Sequence, residues 1–183
     1  MNIVFDWSGT LADDHFISWN IANNILEYFG SAAITFDTYK KEFGIPVDKF
    51  YSKYCPNVST KKIDECFFES YISYNKEYKL FKGIPQLIER LNTNNNLYIL
   101  STLDSKILEE HGKETGILKY FEKIVGNASN KIKALEKLLM DEELIPSETI
   151  FIGDMPHDIE SAQKLKVQSG GVTYGYSNSK TIN

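Results

Sequence analysis

Residues 3–10 read Ile3-Val4-Phe5-Asp6-Trp7-Ser8-Gly9-Thr10: a short apolar run, then a carboxylate, then a loop of small residues. A short apolar run bounded by turn residues is typical of a buried strand, so residues 3–5 are predicted to form a strand that ends at Asp6. The same pattern recurs at residues 97–100, 149–152 and 171–174, each followed by small or polar residues. The sequence therefore predicts four buried strands.

Amphipathic stretches with apolar residues at helical spacing lie between these strands, at residues 84–91, 105–115 and 132–140. Strands that alternate with helices predict an α/β fold with a doubly wound parallel sheet. In such sheets the carboxyl ends of the strands open on one crevice. We therefore expect Asp6, Ser101 and Asp154 to meet there.

Residues 14–78 interrupt this alternation. They are rich in aromatic residues and lysine, show helical periodicity at residues 17–28 and 63–74, and contain no convincing buried strand. The predicted organisation is thus a core formed by residues 1–13 and 79–183, with a small all-helical insertion at residues 14–78.

Composition excludes several classes of protein. The net charge of -5 and the absence of a basic block argue against binding to nucleic acid or to an anionic membrane surface. No apolar run has the length of a membrane span or a signal peptide. Two cysteines, Cys55 and Cys66, give neither a disulfide framework nor a zinc motif. We expect a cytoplasmic protein, either a monomer or a homodimer.

Carboxylates follow two of the predicted strands. Asp6, at the tip of the first strand, can attack phosphorus and form an aspartyl-phosphate, although a single aspartate at such a position is more often a helix cap. Asp154 and Asp158 lie on the loop after a later strand and are oxygen ligands of the kind that Mg²⁺ takes. Asp158 could instead cap a helix over residues 159–165.

Two further positions suit phosphoryl chemistry. Ser101 or Thr102, after the second strand, can donate hydrogen bonds to phosphoryl oxygens. Lys131, on the approach to a helix, can offset the charge of the nucleophile and the phosphoryl group, although such lysines are usually solvated. None of these residues alone indicates a particular function, but their order along the chain is a specific signal.

Residues 5–13, Ser101, Lys131 and residues 153–158 resemble, in that order, the four motifs of the haloacid dehalogenase superfamily. The similarity covers nearly the whole chain and is closest to the phosphoglycolate phosphatase-like branch. This resemblance implies a Rossmann-like core, a helical cap inserted after the first motif, and a small phosphorylated metabolite as substrate.

The resemblance also implies a metal site and a substrate site. Mg²⁺ would be held by Asp6, the backbone carbonyl of Ser8 and Asp154, with Asp158 on the metal or directly behind it. A turn between cap helices, at residues 42–46, would hang over the active site. The predicted substrate-binding residues are Gly9, Thr10 and Thr102 in the core and Lys40, Lys41 and Gly44 in the insertion.

Ser8 departs from the family pattern, because phosphatases of the family usually carry an aspartate there as general acid and base. A serine hydroxyl cannot replace a carboxylic acid in proton transfer, which is worth about 10²- to 10⁴-fold in rate. The chain could therefore be a slow phosphatase, or one in which another group such as His157 moves the proton.

Other reactions remain open at this stage. Phosphonoacetaldehyde hydrolases resemble this chain after the nucleophile and form a Schiff base with a cap lysine. The insertion offers Lys40, Lys41, Lys49 and Lys53. A non-hydrolytic role in binding a phosphorylated ligand or a protein is a further alternative. Dehalogenation is least favoured, since dehalogenases work without metal whereas Asp154 and Asp158 keep a metal pair.

Overall fold

A computed structural model describes residues 1–44, 46–73 and 78–176. The described residues contain one sheet of five strands, all parallel, in the order β3-β2-β1-β4-β5. The strands are β1 (Asn2–Phe5), β2 (Asn96–Leu100), β3 (Lys123–Val125), β4 (Thr149–Gly153) and β5 (Gln168–Gly171). This sheet confirms the predicted α/β class.

The central strand β1 is buried along successive residues, Ile3, Val4 and Phe5, so both of its faces are covered. Its neighbours are β2 and β4, with Phe5 paired to Ile99 on one side and to Ile152 on the other. Because this register aligns the carboxyl ends of the three strands, the residues that follow them come out at one edge of the sheet.

The described part of the unit that contains the sheet has four α-helices: α5 (Ile84–Asn92), α6 (Ser105–Thr115), α7 (Lys131–Asp141) and α8 (Pro156–Lys164). Apolar residues of α7 and α8 join those of the strands in one buried cluster. Its members are Val4, Tyr98, Leu100, Ala128, Leu135, Leu138, Leu139, Phe151, Ala162 and Val167. In this packing α7 lies against β2 and α8, and α8 lies against β4 and β5.

Three sequence predictions need correction. The sequence predicts the last strand at residues 171–174, but β5 spans Gln168–Gly171, because its ladder follows β4 from Ile150 and ends where β4 ends. The three-residue strand β3 was not foreseen. Helix α8 begins at Pro156 rather than at residue 159, since the fixed φ of proline suits the first helical position.

Contacts between Cα atoms divide the chain into two compact units, one comprising Met1–Asp13 and Lys79–Asn183 and the other Asp14–Tyr78. The second, or helical, unit contains α1 (His15–Tyr28), α2 (Phe36–Glu42), α3 (Val47–Tyr54) and α4 (Thr60–Ser73). Its described residues include no strand. Residue 74, at the end of the helix predicted over 63–74, lies outside the described residues.

The helical unit has an aromatic core of its own. Tyr39, Phe50 and Tyr71 are buried, and Tyr39 makes an edge contact with Phe50 at 5.7 Å between ring centroids. Asp14, the first residue of the unit, accepts hydrogen bonds from the hydroxyls of Tyr71 and Tyr78 at 3.4 Å. Throughout the described part of the chain, no helix is both long enough and apolar enough to cross a membrane.

Candidate active site

Asp6 is the first residue after β1, and its backbone N–H donates to the carbonyl of Ile152 at 2.8 Å. Its carboxylate is buried and accepts from the ammonium of Lys131, with 2.9 Å between Nζ and Oδ1. Lys131 is the first residue of α7 and is itself 4% exposed. The lysine predicted to neutralise the nucleophile therefore lies in direct contact with it.

Lys131 also pairs with Asp158, at 2.5 Å from Nζ to Oδ1. Asp6, Asp154 and Asp158 form a buried cluster in which one carboxylate oxygen of each lies within 4.8 Å of the others. Three carboxylates thus face one ammonium group, so the cluster carries a surplus of negative charge when all its members are ionised. We refer to these four residues as the acidic cluster.

Burial and neighbouring charges shift the pKa values of Asp6, Asp154 and Lys131. Burial raises the pKa of Asp6 to about 7, against the attraction of Lys131. Burial, then the charge of Asp6, raises the pKa of Asp154 to about 8. Burial opposes the charge of Lys131, but Asp6 and Asp158 outweigh it and raise the pKa of Lys131 above its ordinary value. Without a further cation, Asp6 and Asp154 are therefore partly protonated at neutral pH.

Asp154 is held by hydrogen bonds to both carboxylate oxygens. The hydroxyl of Thr10 donates to Oδ1 at 3.2 Å, and the backbone N–H of Tyr176 donates to Oδ2 at 2.6 Å. Gly9 lies against the same carboxylate with a φ of 74°, and a Cβ atom at that position would overlap it. Gly9 and Thr10, predicted to bind substrate, therefore both contact Asp154 in the structure.

Asp158 is the third residue of α8, not its cap as the alternative interpretation supposed. Its Oδ2 accepts from the backbone N–H of Met155 at 3.0 Å, while Oδ1 faces Lys131. Gly153 leaves the necessary space, because a Cβ atom there would overlap the Asp158 side chain. The carboxylate thus stabilises the start of the helix and belongs to the acidic cluster at once.

Ser101 follows β2 and is fully buried. Its hydroxyl oxygen accepts from the backbone N–H of Leu103 at 3.2 Å, so the hydroxyl proton can serve as a donor to a ligand. Thr102, next in the chain, is half-buried. Ser8 is also half-buried and pairs with Ala12 in a backbone bridge. The roles predicted for these residues stay predictions.

The remaining predicted residues belong to the helical unit. Lys40 lies 3.6 Å from Asp37 and 4.7 Å above the ring centroid of Phe36, and Lys41 lies in the last turn of the same helix. Gly44 borders a groove of about 340 Å³ within this unit. The other lining residues are Glu42, Pro46, Lys49, Phe50 and Lys53. A substrate contact by Lys40, Lys41 or Gly44 stays a prediction.

His157, the second residue of α8, has Nε2 at 3.4 Å from Asp158 Oδ1 without hydrogen-bonding geometry. Burial, then the charge of Lys131, lowers the pKa of this histidine to about 4. The imidazole is therefore neutral at pH 7. Its part in proton transfer stays a hypothesis, which the turnover of His157→Ala would test.

Sequence reasoning missed the segment that follows β5. Besides the Tyr176 N–H, the hydroxyl of Tyr174 donates to the backbone carbonyl of Thr10 at 3.0 Å. A Cβ atom at Gly175 would overlap the Asp154 side chain. The sequence shows a glycine between two tyrosines. The contact of the Tyr176 N–H with Asp154 depends on the fold, however, and no residue type predicts it.

Comparison with known proteins decides the family. The family model for haloacid dehalogenase-like hydrolases matches residues 3–172. This chain belongs to that family. The match extends across the acidic cluster and confirms that the chain is a hydrolase of the predicted superfamily.

Individual relatives point to the same branch. The phosphoglycolate phosphatase of Vibrio parahaemolyticus is 24% identical over 197 residues, which cover 98% of this chain and 86% of that protein. A 5'-nucleotidase of Pseudomonas aeruginosa is 28% identical over 106 residues, or 55% of this chain and 48% of that protein. A solved haloacid dehalogenase-like hydrolase from Streptococcus pneumoniae superposes with a TM-score of 0.87 at 25% identity, covering 99% and 88% of the two chains. The predicted likeness to the phosphoglycolate phosphatase-like branch is confirmed.

Proposed function

We propose that the protein is a magnesium-dependent phosphatase that hydrolyses a small phosphate monoester through an aspartyl-phosphate on Asp6. The observation that carries the proposal is the buried contact of 2.9 Å between Asp6 and Lys131 at the carboxyl end of the central strand. Relatives named phosphoglycolate phosphatase and 5'-nucleotidase support a phosphate ester as substrate.

The donor set of the acidic cluster fits a divalent cation. Its ligands are carboxylate oxygens, the type that Mg²⁺ prefers, and its negative charge exceeds that of Lys131. Asp6, the backbone carbonyl of Ser8, Asp154 and Asp158 would hold the ion. Magnesium, when bound, would supply charge neutralisation for the carboxylates and for the phosphoryl oxygens.

The reaction then has two displacements at phosphorus. In the first, a carboxylate oxygen of Asp6 attacks the phosphorus atom, the ester P–O bond breaks, and the leaving alcohol takes up a proton. The ammonium of Lys131 and the hydroxyl of Ser101 would hold the phosphoryl oxygens. In the second, water attacks the same phosphorus atom and gives up a proton, and the bond between the Asp6 oxygen and phosphorus breaks, which releases inorganic phosphate and restores the Asp6 carboxylate.

Ser8 limits both proton transfers. No carboxylate stands at the position that normally protonates the leaving group and deprotonates the water, so each step would lose some of the 10²- to 10⁴-fold that general acid–base catalysis typically supplies. Substrates with good leaving groups need less help in the first step. Hydrolysis of the aspartyl-phosphate would then be the slow step.

The surroundings of Lys53 disfavour it as the Schiff-base lysine of the alternative reaction, for which Lys40, Lys41 and Lys49 stay candidates. A Schiff base requires a neutral amine. Lys53 instead donates to Glu42 at 2.5 Å, and this hydrogen bond raises the pKa of the lysine. That amine is therefore a protonated ammonium at neutral pH.

The test is release of inorganic phosphate from a panel of small phosphate esters and phosphonoacetaldehyde, with and without Mg²⁺, by the wild type, Asp6→Asn and Ser8→Asp. We expect metal-dependent release that is lost in Asp6→Asn and raised up to about 10²-fold in Ser8→Asp, which regains the acid. Robust release by Asp6→Asn would refute the nucleophile. Absence of release from every ester by the wild type would favour a non-hydrolytic role.

A further inference from the structure

We propose that residues 172–176, which follow β5, form a clamp that positions Asp154 for metal binding, with Gly175 and Tyr176 as positioning residues. We call this segment the C-terminal clamp. The inference rests on the proposed metal site but assigns a function to residues outside the four motifs of the family.

The clamp contacts Asp154 through backbone. The Tyr176 N–H donates to Oδ2 at 2.6 Å, which is short for an N–H···O hydrogen bond. The Thr10 hydroxyl donates to Oδ1 from the other side of the carboxylate. With a donor on each oxygen, rotation of the carboxylate about its Cβ–Cγ bond is restrained.

Glycines enclose the same side chain. A Cβ atom at Gly175 would overlap Cβ, Cγ and Oδ2 of Asp154. A Cβ atom at Gly9 would overlap Oδ2 and come within 2.7 Å of the Tyr176 ring. Of the two, only Gly9 has a positive φ, so an alanine at Gly175 would act through the space it fills and not through backbone strain.

Two residues that precede this contact, Val172 and Tyr174, anchor the clamp. The Val172 N–H donates to the Gly153 carbonyl at 2.9 Å, which extends the pairing with β4. The Tyr174 hydroxyl donates to the Thr10 carbonyl, and its ring packs against Phe81 with 4.6 Å between centroids. The segment therefore ties the end of β4 to the loop that carries Ser8.

Mg²⁺ demands near-ideal octahedral geometry, so a small displacement of one ligand weakens binding. Residues that orient a metal ligand typically contribute 10- to 100-fold to metal affinity. The clamp should therefore set the affinity for magnesium, and not only the stability of the fold.

The experiment measures the Mg²⁺ dissociation constant by isothermal titration calorimetry, together with the magnesium-induced rise in melting temperature, without any substrate. The variants are Gly175→Ala, Asp154→Asn as benchmark and Gly170→Ala as matched control. A Cβ atom at Gly170 would meet only Ile152 at 3.4 Å and Ile150 at 3.6 Å, which are ordinary contacts. We expect affinity to fall about 10- to 100-fold in Gly175→Ala and to change less than about twofold in Gly170→Ala.

Wild-type affinity in Gly175→Ala, with affinity lost in Asp154→Asn, would overturn the clamp and leave the metal site standing. Wild-type affinity in Asp154→Asn would overturn the metal site itself and the clamp with it. Should Gly175→Ala fail to fold, Tyr174→Phe decides, since it removes only the hydroxyl that anchors the clamp. Weaker binding with an unchanged circular dichroism spectrum is expected, and unchanged binding would overturn the clamp.

Discussion

The two units each hold a lysine paired with a carboxylate at 2.5 Å, Lys131 with Asp158 and Lys53 with Glu42, yet the settings are opposite. The Lys131 side chain is 2% exposed and the Lys53 side chain is 57% exposed. Water and salt screen the exposed pair, whereas the buried charges interact strongly and depend on one another. The comparison teaches that burial, and not the length of an ion pair, distinguishes a pair suited to catalysis from one that only faces solvent.

The number of partners differs as well. Lys131 faces Asp6 and Asp158, with Asp154 in the same cluster. Glu42, by contrast, has two donors, Lys53 and the hydroxyl of Tyr54. The surface group is thus satisfied as it stands, while the buried cluster is short of positive charge and suits a ligand that supplies it.

The largest expected contrast is between Lys131→Met and Lys53→Met. Loss of the buried ammonium leaves carboxylates without their partner and should lower the free energy of unfolding of the metal-free protein by about 3–5 kcal/mol at pH 8. It should also lower turnover about 10²- to 10³-fold. Lys53→Met should shift the melting temperature by less than about 2 °C and leave turnover unchanged. Thermal unfolding and phosphate release measure both.

Turnover lost equally in both variants would contradict this contrast and would revive a cap lysine as a reacting group. Lys133→Met is the matched control for Lys131→Met, because Lys133 is exposed on the same helix.

A smaller effect concerns pH. Asp6 and Asp154 have native pKa values of about 7 and 8, above the ordinary value of 3.8. At pH values between the ordinary pKa and the native pKa, each native carboxyl group keeps a proton that the unfolded chain has lost. The free energy of unfolding therefore falls as pH rises. The metal-free protein should therefore lose free energy of unfolding between pH 6.5 and 8, by roughly 1 kcal/mol per pH unit. Denaturant titrations at several pH values measure it.

His111 and His157, whose pKa values fall from 6.5 to about 4, change stability in the opposite direction, chiefly below pH 6.5. Saturating Mg²⁺ should flatten the slope, since it favours the ionised carboxylates, and Asp154→Asn should reduce it. A slope that neither magnesium nor Asp154→Asn alters would place its origin outside the acidic cluster.

The sequence predicted the elements that carry strong local signals. Helix α6 was predicted at residues 105–115 and spans Ser105–Thr115, because Asp104 caps its start and Gly116 its end. The predicted position of β5 is wrong, since Gln168–Gly171 lacks the β-branched residues that are typical of a strand. Strand β3 was not predicted because it has three residues and is only partly buried.

Residues of the candidate site divide in the same way. Asp6, Asp154 and Asp158 were predicted from their place after strands, and the structure brings them together. The burial of Lys131 could not be inferred, since a lysine at a helix start is usually solvated. The contact from Tyr176 to Asp154 was equally hidden, because a backbone N–H is common to every residue but proline.

The most direct test of the central claim is the intact mass of the protein, acid-quenched during turnover of a phosphate ester with magnesium. We expect the wild type to carry one phosphoryl group, mapped by peptide sequencing to Asp6, because Ser8 cannot activate the hydrolytic water. Ser8→Asp should turn over faster and carry less of it. Rapid phosphate release with no phosphoryl group on Asp6 in either protein would contradict the aspartyl-phosphate mechanism.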